Sequence, residues 1–298
     1  MERKTAPDFD QELLILFDAY VHGDIDRRGF LDRAAKFAVG GVTATMLLEA
    51  LSPKFAEAQQ VAKDDPRLVT EFVSYPSPQG YETTRGYLVR PAGATGKLPG
   101  ILVIHENRGL NPHIEDIARR LALADYVAFA PDALAPLGGY PGDEDKARAL
   151  FGTLDQAKTR EDMAAAFAFL KARPECTGRV GAVGFCYGGG IVHRLATRLP
   201  DLGAAVPFYG NSPAPEEAAT IKAPLLVHLA EMDTRINAAW PAYEAALKAA
   251  GVRYTAHIYA GAQHGFNNDT TPRYDEASAK LAWQRTLDFF AEHLRESA

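Results

Sequence analysis

The chain has 298 residues, of which 47% are hydrophobic and 23% are charged, a composition typical of a globular protein with a full apolar core. At roughly 150 residues per domain, this length allows one large domain or two ordinary ones. The formal net charge is −6 and we find no stripe of lysine or arginine. The composition therefore argues against nucleic acid as a partner, because phosphate binding needs clustered positive charge.

The beginning of the chain contains a segment that resembles a twin-arginine export signal. In residues 26–51, Arg27 and Arg28 are followed by an uncharged stretch at residues 37–48, and Ala-Glu-Ala at residues 56–58 offers a small-residue cleavage site. The uncharged stretch is shorter than the roughly 20 residues that a helix needs to cross a bilayer. We therefore expect no integral membrane span, and one interpretation is export to the periplasm with cleavage at this site.

The residues that precede this segment favour a second interpretation. Residues 8–26 are acidic and carry apolar side chains at helical spacing, whereas an export signal begins with a short basic region. We therefore favour a helical N-terminal extension over residues 1–62, packed on a main domain over residues 63–298. This interpretation places the protein in the cytoplasm.

The main domain alternates extended apolar runs with helical patterns. Runs such as GILVIH and PLLVHLA are apolar on successive residues, a pattern typical of parallel strands that are covered on both faces. No helical pattern separates the first two runs, so we expect them to form an antiparallel hairpin at the sheet edge. The alternation predicts an α/β fold with a mostly parallel, doubly wound sheet and helices on both faces. The predicted strands cover residues 69–75, 83–90, 100–105, 126–131, 179–185, 204–209, 225–229 and 254–259, and the predicted helices cover residues 114–124, 144–151, 160–173, 187–199, 238–250 and 276–294.

Polar side chains follow four of these strands. Glu106 follows the third, Cys186 the fifth, Asp233 the seventh and His264 the eighth. Ligands of such folds bind beyond the carboxyl ends of the strands, so we expect these side chains to lie there. The last three supply a nucleophile, an acid and a histidine in the chain order of an α/β-hydrolase triad. Glu231 is a rival for the acid, because it lies closer to the end of its strand.

The segment GFCYGG at residues 184–189 has the spacing of the strained strand-to-helix turn that holds the nucleophile in these folds. A side chain at Gly184 or Gly188 would crowd the turn, and Gly189 lets the following helix approach the sheet. The free N–H groups at the start of that helix point towards Cys186. A thiol near a helix N-terminus and an imidazole ionises easily, so we expect a thiolate nucleophile.

The other cysteine, Cys176, lies in a turn-like segment before a strand, where we expect a small buried side chain. Two cysteines cannot form a disulfide framework, and no Cys/His spacing indicates structural zinc. The sequence therefore predicts no metal site and no cofactor.

The motif at residues 184–189, together with Glu106, Asp233 and His264 in this order, closely resembles the dienelactone hydrolase (carboxymethylenebutenolidase) family over most of the main domain. The resemblance implies an α/β-hydrolase fold and hydrolysis of a small carboxylic ester or lactone through a thioester acyl-enzyme. It implies that Cys186 attacks the acyl carbon. His264 would then act as general base and acid, with Asp233 orienting its ring.

The same resemblance implies supporting roles for three further residues. Glu106 matches an extra carboxylate that interacts with the resting thiol and helps to deprotonate it when substrate binds. The backbone N–H groups of Tyr187 and Asn107 would form the oxyanion hole.

The chain departs from the family pattern where an arginine shortly after the catalytic histidine would hold a substrate carboxylate. Residues 267–269 read Asn-Asn-Asp here, and the next arginine is Arg273. Arg108 and Arg235 lie near other predicted strand ends and are candidate substitutes for substrate binding. The substrate itself and the oligomeric state stay open.

Two other functions are compatible with these residues. The same triad could hydrolyse a peptide or amide, or the pocket could bind a small molecule without turning it over. Amide hydrolysis needs stronger acid catalysis, because the leaving group is an amine. A protein that only binds is disfavoured because all four polar positions of the family pattern are present. We therefore favour an ester or lactone hydrolase.

Overall fold

The computed structural model describes residues 4–295, and its N-terminal part is helical, as expected. The export-like segment forms α2 and α3, with the positive φ angles of Gly40 and Gly41 between them. None of the helices in the described residues is long and apolar enough to span a membrane. The helices of this part are α1 (Gln11–His22), α2 (Arg27–Ala34), α3 (Ala44–Leu51) and α4 (Phe55–Ala58).

The N-terminal extension has a small apolar core of its own. Apolar side chains at helical spacing on α1 join those of α2 and α3 in one cluster, in which each helix buries one face. An Asp side chain caps both α1 and α2, where Asp10 and Asp26 accept hydrogen bonds from backbone N–H groups of the first turn. The buried residues are Leu13, Leu14, Phe17, Tyr20, Phe30, Ala34, Leu47, Leu48 and Leu51.

The rest of the described chain forms one eight-stranded sheet in the order β1-β2-β4-β3-β5-β6-β7-β8. The first two strands pair antiparallel at the edge, which confirms the predicted hairpin. β2 also pairs antiparallel with β4, and all later pairs are parallel. The strands are β1 (Leu68–Ser77), β2 (Glu82–Pro91), β3 (Leu98–Ile104), β4 (Val127–Pro131), β5 (Cys176–Phe185), β6 (Ala204–Phe208), β7 (Leu225–Ala230) and β8 (Tyr254–Tyr259).

Helices cover both faces of this sheet, which confirms the predicted fold class. Leu102 and Ile104 of β3 belong to the core on one face, whereas Ile101 and Val103 belong to the core on the other. Successive apolar residues are therefore needed because the strand is buried on both sides. The helices are α5 (Pro112–Leu123), α6 (Glu144–Gly152), α7 (Gln156–Lys171), α8 (Tyr187–Arg198), α9 (Thr234–Asn237), α10 (Trp240–Ala249) and α11 (Glu276–Leu294).

Two element boundaries differ by three residues or more from those predicted. Strand β5 begins at Cys176 rather than at residue 179, because Cys176 already pairs with Leu98 of β3. Helix α7 begins four residues earlier than predicted, since the Asp155 side chain accepts hydrogen bonds from the backbone N–H groups of Ala157 and Lys158.

We expect Gly188→Ala to destabilise the fold. A Cβ at Gly188 would lie 2.2 Å from the carbonyl oxygen of Ile104, so α8 would have to move away from β3. Overpacking of this kind typically costs about 1–3 kcal/mol or more, and urea unfolding measures it. Gly190→Ala is the matched control, because the atom nearest to its Cβ would be 3.5 Å away. A Gly188→Ala protein as stable as the Gly190→Ala protein would contradict this packing.

Candidate active site

The thiol of Cys186 lies at the sharp turn between β5 and α8. The backbone of Cys186 has φ 55° and ψ −112°, a conformation that residues other than glycine rarely adopt. A Cβ at Gly184 would lie 2.2 Å from the carbonyl oxygen of Gly188, so the turn closes only with glycine there. This is the local geometry that the GFCYGG motif predicts, and it presents the thiol at the carboxyl end of the sheet.

The strand order places the other candidate residues at the same edge. From β3 the chain goes to β4 on one side, and from β4 it crosses back to β5 on the other side of β3, so a crevice opens beyond the ends of β3 and β5. Glu106 and Asn107 follow β3 at this crevice. Asp233 follows β7 and His264 follows β8, and parallel pairing brings their loops to the same side.

Asp233 and His264 form a buried, directed pair. The Nδ1 atom of His264 is 2.5 Å from Oδ2 of Asp233, and both side chains are buried. The other carboxylate oxygen of Asp233 accepts the N–H of Ile236 at the start of α9, which holds the carboxylate in place. The rival acid Glu231 instead accepts a hydrogen bond from the backbone N–H of Gly261. The structure therefore pairs the histidine with Asp233.

The thiol of Cys186 lies close to two imidazoles, those of His22 and His264. The Nε2 atom of His22, the last residue of α1, is 3.3 Å from Sγ of Cys186. The ring of His22 lies edge-on to the ring of His264, with 4.7 Å between the ring centroids. The second imidazole was not predicted, because His22 ends an ordinary amphipathic helix 164 residues before the cysteine and no local pattern marks it.

The negative charge of the thiolate and the positive charge on each imidazole stabilise one another. Burial alone would raise the pKa of the Cys186 thiol, but the charges of His264 and His22 outweigh it and lower that pKa to about 6. Burial would lower the pKa of His264, but the thiolate and Asp233 raise it to about 10. The pKa of His22 rises to about 9 against burial, through the thiolate and Asp18. At neutral pH the favoured state is a thiolate between imidazolium rings.

Glu106 and its neighbours line the opposite side of the crevice. The Oε2 atom of Glu106 accepts a hydrogen bond of 3.0 Å from Nδ2 of Asn268. The side chain of Asn107 donates to the carbonyl oxygen of Val21 in α1, at 3.0 Å. Tyr187 is the first residue of α8, so its backbone N–H has no carbonyl partner within the helix.

The three arginines near the site all contact α1. Arg108 is buried and donates to the Val21 carbonyl oxygen at 3.1 Å. Nη2 of Arg235 lies 2.9 Å from Nε2 of His22. Arg273, which stands beyond the position of the expected family arginine, donates to Oδ1 of Asp18 at 2.9 Å. Of the two arginines predicted to bind substrate, Arg108 donates to the N-terminal extension in this structure and Arg235 lies against it.

A cavity of 470 Å³, large enough for a small organic molecule, opens beside Glu106, Arg108 and Arg273. One wall belongs to the N-terminal extension and the other to the main domain. Its lining residues include Phe17, Tyr20, Val21, Phe55, Glu106, Asn107, Arg108, Tyr140, Asn268 and Arg273.

One group of side chains in the described part of the chain could offer three ligands to a metal ion. It consists of His22, Cys186 and His264, whose ligand atoms lie within 4.8 Å of one another. Metal binding needs neutral imidazoles, whereas both histidines here have a raised pKa and favour the protonated form. The arrangement therefore suits nucleophilic chemistry better than metal binding.

Known proteins are similar to this chain in both sequence and fold. A family model described as the dienelactone hydrolase family matches residues 84–294. A second model, described as YqhI-like, matches residues 1–36. A Salmonella typhi protein, whose name refers to carboxymethylenebutenolidase, is 35% identical over 221 residues that cover 70% of this chain and 82% of that protein. A hydrolase fragment of Escherichia coli (strain K12) named YghX is 54% identical over 114 residues, which cover 38% of this chain and 97% of the fragment.

Solved structures extend the comparison to three dimensions. A Klebsiella pneumoniae subsp. pneumoniae crystal structure, whose name refers to dienelactone hydrolase, is 31% identical with a TM-score of 0.67 and covers 75% of this chain and 99% of its own. The metagenomic protein P91, named as a dienelactone hydrolase-like promiscuous phosphotriesterase, is 26% identical with a TM-score of 0.67 and covers 77% of this chain and 100% of its own. The family match spans more than half of the chain and confirms the resemblance read from the motifs. This chain belongs to the dienelactone hydrolase family and is a hydrolase.

Proposed function

We propose that this protein hydrolyses small carboxylic esters or enol lactones through a Cys186–His264–Asp233 triad. The observation that carries the proposal is a thiol on a strained strand-to-helix turn, beside a histidine whose other ring nitrogen is bound to a buried carboxylate. That arrangement supplies a nucleophile, a proton carrier and a group that orients the carrier.

In the acylation step, the thiolate of Cys186 adds to the acyl carbon, and the carbonyl π electrons move to the oxygen. The oxyanion then re-forms the carbonyl and expels the alkoxide, which takes a proton from the imidazolium of His264. A thioester on Cys186 and a free alcohol result. For a lactone, the alcohol stays attached to the acyl group as a ring-opened chain.

In the deacylation step, the now neutral His264 removes a proton from a water molecule as that water attacks the thioester. Collapse of the second tetrahedral intermediate breaks the C–S bond, releases the carboxylic acid and restores the thiolate beside the imidazolium. Asp233 stabilises the charged ring in both steps through the bond to Nδ1.

The backbone N–H groups of Tyr187 and Asn107 are the proposed donors to the oxyanion. Tyr187 begins α8, so its N–H belongs to the positive end of the helix, directly after the nucleophile. Asn107 follows β3 at the other side of the crevice. One such donor contributes roughly 3–4 kcal/mol in the transition state.

The leaving group decides between ester and amide substrates. A thiolate is a better leaving group than an amine anion, so a tetrahedral intermediate from an amide returns to the thiolate unless the amine is protonated first. An alkoxide or enolate leaves without that requirement. The names of the relatives, carboxymethylenebutenolidase and dienelactone hydrolase, point to the same class of substrate.

The test is a matched panel given to the full chain: an aryl ester, an enol lactone and the anilide with the same acyl group. We expect turnover of the ester and lactone, and at least about 100-fold less of the anilide. Anilide hydrolysis at the rate of the ester would favour the peptidase alternative, and binding of all three without turnover would favour a binding protein. A phosphotriester in the panel tests the activity for which P91 is named.

A further inference from the structure

The C-terminal end of α1 lies on the proposed nucleophile. His22 places Nε2 3.3 Å from Sγ of Cys186, which is within contact distance for a hydrogen bond to sulfur. The contact joins the N-terminal extension to the centre of the main domain. A triad of cysteine, histidine and acid does not need this second imidazole.

His22 and His264 each direct the Nδ1 atom of the ring towards an acidic residue. The Nδ1 atom of His22 lies 2.8 Å from the carbonyl oxygen of Asp18 and 3.3 Å from Oδ2 of the same residue. His264 likewise directs Nδ1 at a carboxylate, that of Asp233. In both pairs Nδ1 contacts the acidic residue, so Nε2 is the ring nitrogen that can interact with the sulfur.

Helix α1 is held in this position by several partly buried hydrogen bonds. The carbonyl oxygen of Val21 accepts hydrogen bonds from Asn107 at 3.0 Å and from Arg108 at 3.1 Å. The side chain of Arg273 donates to Asp18 at 2.9 Å. These bonds join side chains of the main domain to α1 at two residues, so the position of His22 follows from packing of the helix.

The charged groups around His22 come from four parts of the chain. Asp18 lies on α1, Cys186 precedes α8, His264 follows β8 and Arg235 lies on α9. Asp18 and the thiolate are negative and favour an imidazolium, whereas His264 and Arg235 oppose it. Arg235 has a nitrogen 2.9 Å from Nε2 of His22, and it could donate to that nitrogen only if His22 were neutral. Burial also opposes the charge, yet the thiolate and Asp18 outweigh it and raise the pKa of His22 to about 9.

We propose that His22 is a second catalytic imidazole, supplied by the N-terminal extension, which holds Cys186 as a thiolate in the resting protein. The proposal rests on the proposed function, in which Cys186 is the nucleophile. It means that the thiol proton has moved to Nε2 of one of the two histidines before substrate arrives. Oε2 of Glu106, the carboxylate that the family resemblance assigns to the resting thiol, accepts a hydrogen bond from Asn268, whereas Nε2 of His22 lies 3.3 Å from the sulfur.

The test measures the alkylation rate of Cys186 by iodoacetamide at a series of pH values, followed by intact-protein mass spectrometry. We expect the rate in the wild type to rise with pH through a midpoint near 6. Replacing His22 by glutamine removes a positive charge but keeps a polar side chain, so the thiolate is less stable and the midpoint rises. A rise of about one unit makes alkylation about fivefold slower at pH 6.

Three comparisons make the result decisive. His293→Gln is the matched control, because His293 lies near Arg253 before β8, at the opposite end of the sheet. The midpoint of Cys186 alkylation in this variant should equal that of the wild type. His22→Ala should show the same upward shift as His22→Gln, with a thermal unfolding curve to verify folding. Arg235→Gln tests whether the positive charge of Arg235, rather than that of His22, sets the midpoint of Cys186 alkylation.

An unchanged midpoint in both folded His22 variants would overturn the proposal. So would faster alkylation at every pH with the same midpoint, which would mean that α1 only shields the thiol. A shift in Arg235→Gln without one in His22→Gln would assign the charge to the arginine and overturn the proposal too. Alkylation needs no substrate, so a protein that hydrolyses no ester would refute the proposed function while leaving this measurement intact.

Discussion

Replacing Cys186 with alanine is expected to lower ester hydrolysis by about 10⁴-fold or more while leaving the protein folded. The substitution removes the sulfur that forms the thioester, and neither imidazole can take over that bond. The measurement is kcat for the aryl ester, combined with mass spectrometry of protein quenched during turnover, which should show the acyl adduct only on the wild type.

Two variants serve as controls for this result. Cys176→Ala removes the other cysteine, which is buried at the start of β5 away from the crevice, and should retain the wild-type rate in folded protein. Cys186→Ser keeps a nucleophilic atom at the turn, but a hydroxyl is not ionised by the imidazoles at neutral pH, so we expect a rate far below that of the wild type. An alanine variant that still turns over the ester would exclude the thioester mechanism.

Replacing Asp233 with asparagine is expected to lower kcat by about 10³- to 10⁴-fold with little change in stability. The amide keeps the shape of the carboxylate but removes its charge, and it can present an N–H to Nδ1 of His264. The ring would then lose the support for its charged state and adopt the wrong tautomer. The measurement is the pH profile of kcat for the aryl ester.

Glu231→Gln is the matched control for Asp233→Asn. Both acids follow β7, but the carboxylate of Glu231 accepts the backbone N–H of Gly261 while that of Asp233 contacts His264. We therefore expect Glu231→Gln to keep at least about a third of the wild-type rate, as is usual for a substitution outside the reacting groups. Equal losses in the two variants would show that the assignment of the acid is wrong.

The fold class could be predicted from the sequence because its signals are local. Ile101 to Ile104 alternate between the two cores of the sheet, and that requirement is visible as an uninterrupted apolar run. The strand-to-helix turn at Cys186 could also be predicted from its local sequence. It needs glycine at residues 184 and 188, since a Cβ at either place would meet a carbonyl oxygen at 2.2 Å.

The family resemblance favoured Asp233 over Glu231 as the acid, and in the tertiary structure Asp233 is the one of the two that contacts His264. Asp233 and Glu231 are both acidic and both follow β7, so their spacing along the chain does not separate them. Only the loop after β8 decides which carboxylate meets His264, and that loop belongs to a different part of the chain.

The contacts that the N-terminal extension makes with the candidate site depend on tertiary packing. The sequence by itself determined that α1 is an amphipathic helix, because its apolar spacing repeats within the helix. It did not determine that His22 lies 3.3 Å from Cys186 or that Arg273 pairs with Asp18. Those contacts join residues more than 150 positions apart, and they depend on how one folded part packs against another, which no repeat within either part encodes.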